Sequence, residues 1–249
     1  LIKILLAPSE TKQSGGTASF APNTLLFESL LPYRNQLLHA YANCIQRGDL
    51  SALSKLFGIT KEADILAYKT DIIHELTMKA IERYTGVAFD YLDYPHLDTK
   101  ARQYIDEHVI LFSNLFGPIR ASDMIPEYKL KQGVSIGELK PEKIYSEHAS
   151  NLLDDYLNDD EVLDLRSGFY DKFYKPNKPY TTLKFIKDGK VVSHWAKAYR
   201  GLVLREISLH QITTMESFIK HPITGLSLIS MQTHKNKTEI IYHIDTHSN

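Results

Sequence analysis

The sequence predicts an α+β protein: a single domain with a mixed central β-sheet, surrounding helices and an N-terminal helical insertion. Three observations predict it. The short apolar runs ILLA, VILF and VLDL are separated by long amphipathic segments, as parallel strands with helical crossovers require. YTTLKFIKDGKVVSHW and LSLISMQTHKNKTEIIYHI read as hairpins about turn residues. Between the first and second apolar runs the pattern is helical almost throughout. The 249 residues carry no internal repeat, low-complexity tract or composition shift, so one domain over 1–249 is expected.

The elements follow in order. Ile2–Ala7 is almost continuously apolar, which suits a strand covered on both faces. It breaks at Pro8 into Ser9, Glu10, Thr11 and Lys12, and residues 17–24 form a loop. YRNQLLHAYANCIQRG is an amphipathic helix ending at Gly48. Asp49 or Ser51 caps SALSKLF, and Gly58 closes it. EADILAY and ELTMKAIERY extend the helical layer toward Tyr91, and Asp98 or Thr99 caps TKARQYIDEH. VILFS at 109–113 is a second buried strand. Tyr128–Val134 is a third, more polar strand with Lys129 and Lys131 on one side. A helix near 145–157 precedes the strand EVLDL at 161–165. Asp188-Gly189 turns the next hairpin, WAKAYRGLVLREI is a helix, and Lys235-Asn236-Lys237 turns the last hairpin.

The formal net charge is −1, so no global field draws the chain to a polyanion, and any such site must be local. A single cysteine, Cys44, excludes an intrachain disulfide and fits a reducing cytoplasm. No apolar run reaches ~18 residues, so no membrane partner is expected. The Walker, GxGxxG, GxSxG and HExxH patterns are absent. His243 and His247 are four apart near the tail, while His194 and His210 stand alone. No metal site and no cofactor are expected.

Three apolar runs end alike, in Pro8–Lys12, in Ser113-Asn114 and in Arg166-Ser167-Gly168. If the runs are parallel neighbours, those ends share the sheet edge where open α/β sheets bind ligands. Strands must also end somewhere, and Pro, Ser and Gly end them. Near Glu10 and Lys12, the glycines Gly15 and Gly16 let backbone N–H groups approach an anion while lysine supplies charge. Asp164 interrupts VLDL with Arg166 two residues on. It reads as a buried acid of the cleft with a basic partner, or as a strand-end cap. Lys197, Gly201 and Arg205 form one helical stripe. That stripe suits an approaching phosphate backbone, or a solvated face with Gly201 packed beneath another helix. Arg120, Asp123, Tyr128, Lys129 and Lys131 form another polar cluster, or a lysine-defended edge strand. YTGVAFDYL at 84–92 follows ELTMKAIER and reads as the turn of a helix-hairpin-helix, or as an ordinary helical turn. Gly86 would be the hairpin glycine, and Val87 would pack it.

APSETKQSGG, RYTGVAFDYLDYPHLD, LFSNLFGPIRASDMIPEYKLKQG, DLRSGFYDKFYKP and SHWAKAYRGLVLREI occur in the order seen in the YaaA family. The chain resembles that family from its first strand to about Ile207, and more loosely beyond. It is closer to the branch starting Pro-Ser-Glu-x-Lys than to the one starting Pro-Ala-Lys-Thr, where lysine stands in the place of Glu10. The resemblance implies a cytosolic α+β protein of an unusual single-domain fold with a positively charged cleft. It implies a helix-hairpin-helix that binds double-stranded DNA with little sequence preference. It also implies a role in limiting oxidative DNA damage under peroxide stress by keeping free iron low. By position, Tyr84-Thr85-Gly86-Val87 match the hairpin. Lys197, Gly201 and Arg205 match the basic helix, and Arg120, Asp123, Tyr128 and Gly133 match the central motif.

Two functions are expected from these readings. In a DNA-binding stress protein, Ser9, Lys12, Thr85, Gly86, Val87, Arg120, Lys129, Arg166, Ser167, Lys197 and Arg205 contact the anion. In an enzyme acting on a nucleobase, nucleotide or other phosphate-bearing small molecule, Glu10 or Asp164 is general acid or base. Lys197 and Arg120 then hold the anion, and a lysine of lowered pKa could be the nucleophile. A deep pocket lined by Glu10, Asp164 and Lys197 favours the enzyme; a broad shallow basic groove favours the binder.

Overall fold

The first strand, β1 (Ile2–Leu6), is buried along most of its length, and its position decides where everything else goes. The computed structural model describes residues 1–245, the side chains of Ser193 and His194 excepted; His247 lies outside the described residues. After a loop the chain forms α1 (Leu31–Arg47), which stops at Gly48, and α2 (Leu50–Phe57). The Asp49 carboxylate accepts the Ala52 N–H at 2.8 Å and caps α2, and Gly58 at φ +70° ends it. α3 (Glu62–Ala67) continues the helical layer.

The expected helix ELTMKAIERY is not one helix. Its first part is strand β2 (Thr77–Lys79), and only Ala80–Arg83 is helical, as α4. A three-residue link leads to α5 (Val87–Leu92), and α6 (Thr99–His108) follows, capped by Asp98. β3 (Val109–Ser113) turns back at once into β4 (Gly117–Arg120). β5 (Met124–Pro126) then pairs antiparallel with β2 in a separate two-stranded sheet, which is why β2 is extended despite its helical pattern.

The expected strand Tyr128–Val134 is irregular chain instead. The Tyr41 hydroxyl donates to the Lys129 carbonyl and accepts its N–H, and the Lys131 N–H donates to the Leu56 carbonyl. Those partners leave no ladder for a strand.

The second half matches expectation more closely. α7 (Pro141–Tyr156), β6 (Glu161–Asp164), the hairpin β7 (Tyr180–Lys187) and β8 (Lys190–Val191), and α8 (Ser193–Leu209) follow in turn. Asp188 and Gly189 both take positive φ at the hairpin turn. α9 (Met215–Lys220), not foreseen, precedes the final hairpin β9 (Leu226–His234) and β10 (Lys237–Ile244).

The main sheet runs in the order β4-β3-β1-β6-β7-β10-β9, with β8 beside β7. β1 is parallel to both β3 and β6, β6 to β7, and β7 to β10. β4, β8 and β9 are antiparallel additions, so the sheet is mixed. The three apolar runs that end in polar residues are therefore adjacent parallel strands, with their carboxyl ends at one edge. α8 packs against α5, α6 and β7. The α5–α8 crossing is close at Gly201, where a Cβ would lie 1.9 Å from the Ala88 carbonyl oxygen. Gly201 therefore serves helix packing, and no phosphate backbone can occupy that space.

Candidate functional site

The end of β1 opens into a cleft of about 320 Å³ lined by Ser9, Glu10, Thr85, Gly86, Tyr170, Lys197 and other groups. One wall is the loop after β1. Its Ser9 and Thr11 hydroxyls hydrogen-bond to each other at 3.0 Å, and Ser9 Oγ accepts the Thr11 N–H. A second wall is the link between α4 and α5. It is stitched to the first: Thr85 N–H donates to the Thr11 carbonyl, and Thr11 Oγ1 donates to the Thr85 carbonyl. Gly86 has φ +102°, and a Cβ there would press on Thr11 Oγ1 at 3.3 Å and Ser9 Oγ at 3.4 Å. Only glycine lets the two walls meet in this way. The 84–87 turn thus faces the cleft, but α4 is a single turn of helix, shorter than the predicted helix before the hairpin.

The third wall comes from α8. Lys197 is exposed and Arg200 half-buried, one turn apart on the same face, and both line the cleft. Among the described residues neither makes a hydrogen bond or ion pair. Burial lowers the Arg200 pKa, and the Asp164 carboxylate opposes that shift. Arg200 stays charged all the same. The stripe rule that singled out Lys197 reaches Arg200 at i+3, so Arg200 was within reach of the sequence and was missed. Gln132 and Tyr170 were missed as well; the first lies in a turn and the second in a short 3-10 helix (Gly168–Lys172), and only the fold reveals where these run.

The floor is the sheet edge at Leu6, Ala7 and Leu165, and behind it, outside the cleft lining, lies a buried group of hydroxyls. Ser113, at the end of β3, accepts or donates to the Tyr128 hydroxyl at 2.8 Å, and Tyr128 meets the Tyr84 hydroxyl at 2.9 Å. Burial raises the Tyr128 pKa to about 12, so this buried trio is neutral. Tyr170 donates to Asn114 Oδ1 at 3.1 Å, which ties the end of β3 to the cleft wall. Glu10 Oε1 accepts the Gln132 N–H at 3.0 Å, which orients its carboxylate at the cleft.

Several predicted site residues lie elsewhere. Asp164 is buried beneath the cleft rather than lining it. It forms a two-pronged pair with Arg166, Nε to Oδ1 at 2.9 Å and Nη2 to Oδ2 at 2.8 Å. Arg166 also donates to the Tyr170 and Tyr174 carbonyls and sits over the Phe112 ring. This pair shapes the segment carrying Ser167 and Tyr170. Arg120 pairs with Asp123 at 3.3 Å, and Asp123 accepts the Leu26 and Arg120 N–H groups. Neither lines the cleft. Arg205 donates to the Leu92 carbonyl at 3.0 Å and pairs with Asp93 at 3.4 Å, which fastens the end of α5 to α8.

Lys12 and Lys129 stand behind the β1 loop. Lys129 donates to the Glu10 carbonyl at 3.1 Å. Lys12 donates to the Ser9 and Glu10 carbonyls and lies 4.0 Å above the Tyr128 ring. Burial first, and then the neighbouring Lys129 charge, lower the Lys12 pKa to about 7. Its ammonium points to carbonyls and aromatic faces behind the loop. Beyond these lysines lies a second cavity of about 520 Å³, with Asp64, Glu75, Glu127, Tyr128 and Lys129 in its wall.

The smaller cleft can therefore do two things. It presents two unpaired cations and several hydroxyls to an anion, and it holds one carboxylate, Glu10, for proton transfer. No helix among the described residues is long and apolar enough to cross a membrane.

The profile of the family described as Peroxide stress protein YaaA matches residues 2–230. An uncharacterised protein of Campylobacter jejuni is 43% identical over 98% of this chain and 99% of its own length. A UPF0246 protein of Corynebacterium glutamicum is 34% identical over 84% of this chain and 85% of its own, and one of Streptomyces coelicolor is 29% identical over 82% of each. With its motifs in order and every strand from β1 to β8 within the matched span, this chain belongs to the YaaA family of peroxide stress proteins.

Proposed function

We propose that the cleft at the end of β1 binds one phosphate-bearing nucleotide or a molecule of that size, and that the chain acts in peroxide stress through it. The observation that carries the reading is the pair Lys197 and Arg200. They are unpaired cations facing hydroxyls at the carboxyl ends of parallel strands. Elsewhere the cations at the site are engaged by carboxylates or carbonyls. A volume near 320 Å³ suits a single nucleotide and is too small for a duplex. Lys197 and Arg200 take the phosphate, Ser9, Thr11 and Ser167 add hydroxyl contacts, and Glu10 serves as the general acid or base. Asp164 has no proton-transfer part, because Arg166 holds both of its oxygens.

A second reading is favoured by the 84–87 turn on the cleft rim. It is non-specific contact with double-stranded DNA, with one nucleotide of the strand entering the cleft. It would place the chain where iron-dependent oxidative damage to DNA occurs. The two readings separate in one experiment: titration of a nucleoside monophosphate and of a short duplex over a range of salt concentrations. The nucleotide reading expects saturable binding of the monophosphate at one site. The duplex reading expects binding that falls steeply with salt, as released counterions dictate. If neither ligand binds, the phosphate site is wrong.

A further inference from the structure

The far end of α8 carries a cluster that the cleft does not use. Glu206 and His210 are four residues apart on its last turns, so their side chains share a face. His221 follows α9 and comes from a different element. Its Nε2 lies 3.6 Å from Glu206 Oε2, and His210 Nε2 lies 3.5 Å from the same oxygen. All three donor atoms lie within 4.8 Å of one another. The two imidazole rings are 4.4 Å apart.

These distances are too long for good hydrogen bonds. His221 Nε2 is buried and has no hydrogen-bond partner among the described residues, a state that costs free energy unless something else satisfies it. The same distances fit a different purpose. A tetrahedral ion with bonds of about 2.0–2.2 Å sets neighbouring donor atoms about 3.3–3.5 Å apart. Both nitrogens stand nearly at that spacing from the carboxylate oxygen. His210 is 54% exposed, which leaves a fourth position for water.

We infer that Glu206, His210 and His221 bind one divalent transition-metal ion. Two imidazoles and one carboxylate suit zinc or a neighbouring first-row ion, and not calcium or magnesium, which prefer oxygen alone. The ion clamps α9, and the chain entering β9, onto the end of α8. Glu206 is nine residues from Lys197, about 13 Å along the helix axis, so this site is separate from the cleft. The sequence alone hid it, since His210 looks solitary until α9 folds back.

The test is titration of the untagged full chain with Zn²⁺ by calorimetry and with Co²⁺ by visible absorption. His210→Gln, His221→Gln and Glu206→Gln variants are measured beside the parent. The expected result is one ion per chain and a tetrahedral Co²⁺ spectrum that Zn²⁺ displaces. Each substitution weakens binding by about tenfold or more. Zn²⁺ at hundredfold excess over the parent's Kd raises the parent's melting temperature by about 5 °C or more and the variants' by half of that shift or less. His210 is the most exposed of the three, so His210→Gln keeps its fold, as its circular dichroism will show, and keeps the test decisive if His221→Gln does not. Failure of the parent to bind at one per chain overturns the inference. So does equal binding by the parent and a folded His210→Gln variant, which would place the ion elsewhere.

Discussion

The two neighbouring cavities differ in a way that separates a site from a gap. The larger, about 520 Å³, has Asp64, Glu75 and Glu127 in its wall, with Lys129 as its cation. Lys129 is already held by the Glu10 carbonyl. The smaller, about 320 Å³, has Lys197 and Arg200 unpaired and lies at the carboxyl ends of β1 and β6. Between these two, volume would choose the first. Open charge at a sheet edge chooses the second, because an anion gains most where no protein group already answers the cation. The wall between the two is made by Lys12, Tyr128 and the β1 loop, and behind it stands Arg83.

The largest expected effect breaks that wall. Arg83 is fully buried and donates to the Gln13, Gly15, Leu76 and Ile125 carbonyls. Arg83→Met leaves these acceptors unanswered and should cost about 3–5 kcal/mol in urea unfolding. A loss under about 1 kcal/mol would mean that the wall does not depend on Arg83. Gly201→Ala comes next. Its new Cβ meets the Ala88 carbonyl, so α5 and α8 must separate, at about 1–3 kcal/mol. Because α5 starts at the 84–87 turn, phosphate affinity should fall with stability in this variant. Unchanged affinity would show that the turn does not shape the cleft.

The third effect depends on pH. The folded state lowers the Lys12 pKa from 10.5 to about 7. Between those values the unfolded chain binds the extra proton, so this group makes stability rise with pH. Its penalty is complete below pH 7 and gone near pH 10.5. Lys12→Met should therefore gain on the parent at pH 6, and the gain should shrink to nothing as pH climbs through that window. A gain that does not change with pH would contradict a buried, depressed lysine. The smallest effect sharpens the contrast between cavities. Glu127→Gln alters only the larger one, so phosphate affinity should stay within about twofold of the parent, well under the tenfold that 1.4 kcal/mol represents.

Much of the frame was readable because it rests on local rules. The caps Asp49 and Asp98, the turns at Gly58 and Asp188-Gly189, and the three strands that end in polar residues all announce themselves within a few positions. What stayed hidden depends on distant partners. Thr77–Lys79 has a helical pattern, but it is extended because Met124–Pro126 pairs with it. Lys129 looks like an edge-strand lysine until Tyr41 takes its backbone groups. The same holds at the site. Ser9, Glu10, Thr85, Gly86, Ser167 and Lys197 were legible and converge. Asp164, Arg166, Arg120 and Arg205 were equally good candidates by residue type, yet each is engaged with a protein partner, and sequence does not show which charges are already answered.

The most direct measurement is phosphate or nucleoside monophosphate affinity in Lys197→Ala, Arg200→Ala and Arg205→Ala, by calorimetry at fixed salt. Lys197 and Arg200 face the cleft unpaired, and each truncation should cost tenfold or more, since a charged hydrogen bond is worth about 1.5–3 kcal/mol. Arg205 is held by Leu92 and Asp93, so its loss should lower stability and leave the affinity of the folded protein almost unchanged. Equal losses in all three variants, or none in the first two, would contradict the claim that unpaired charge at the strand ends makes the site.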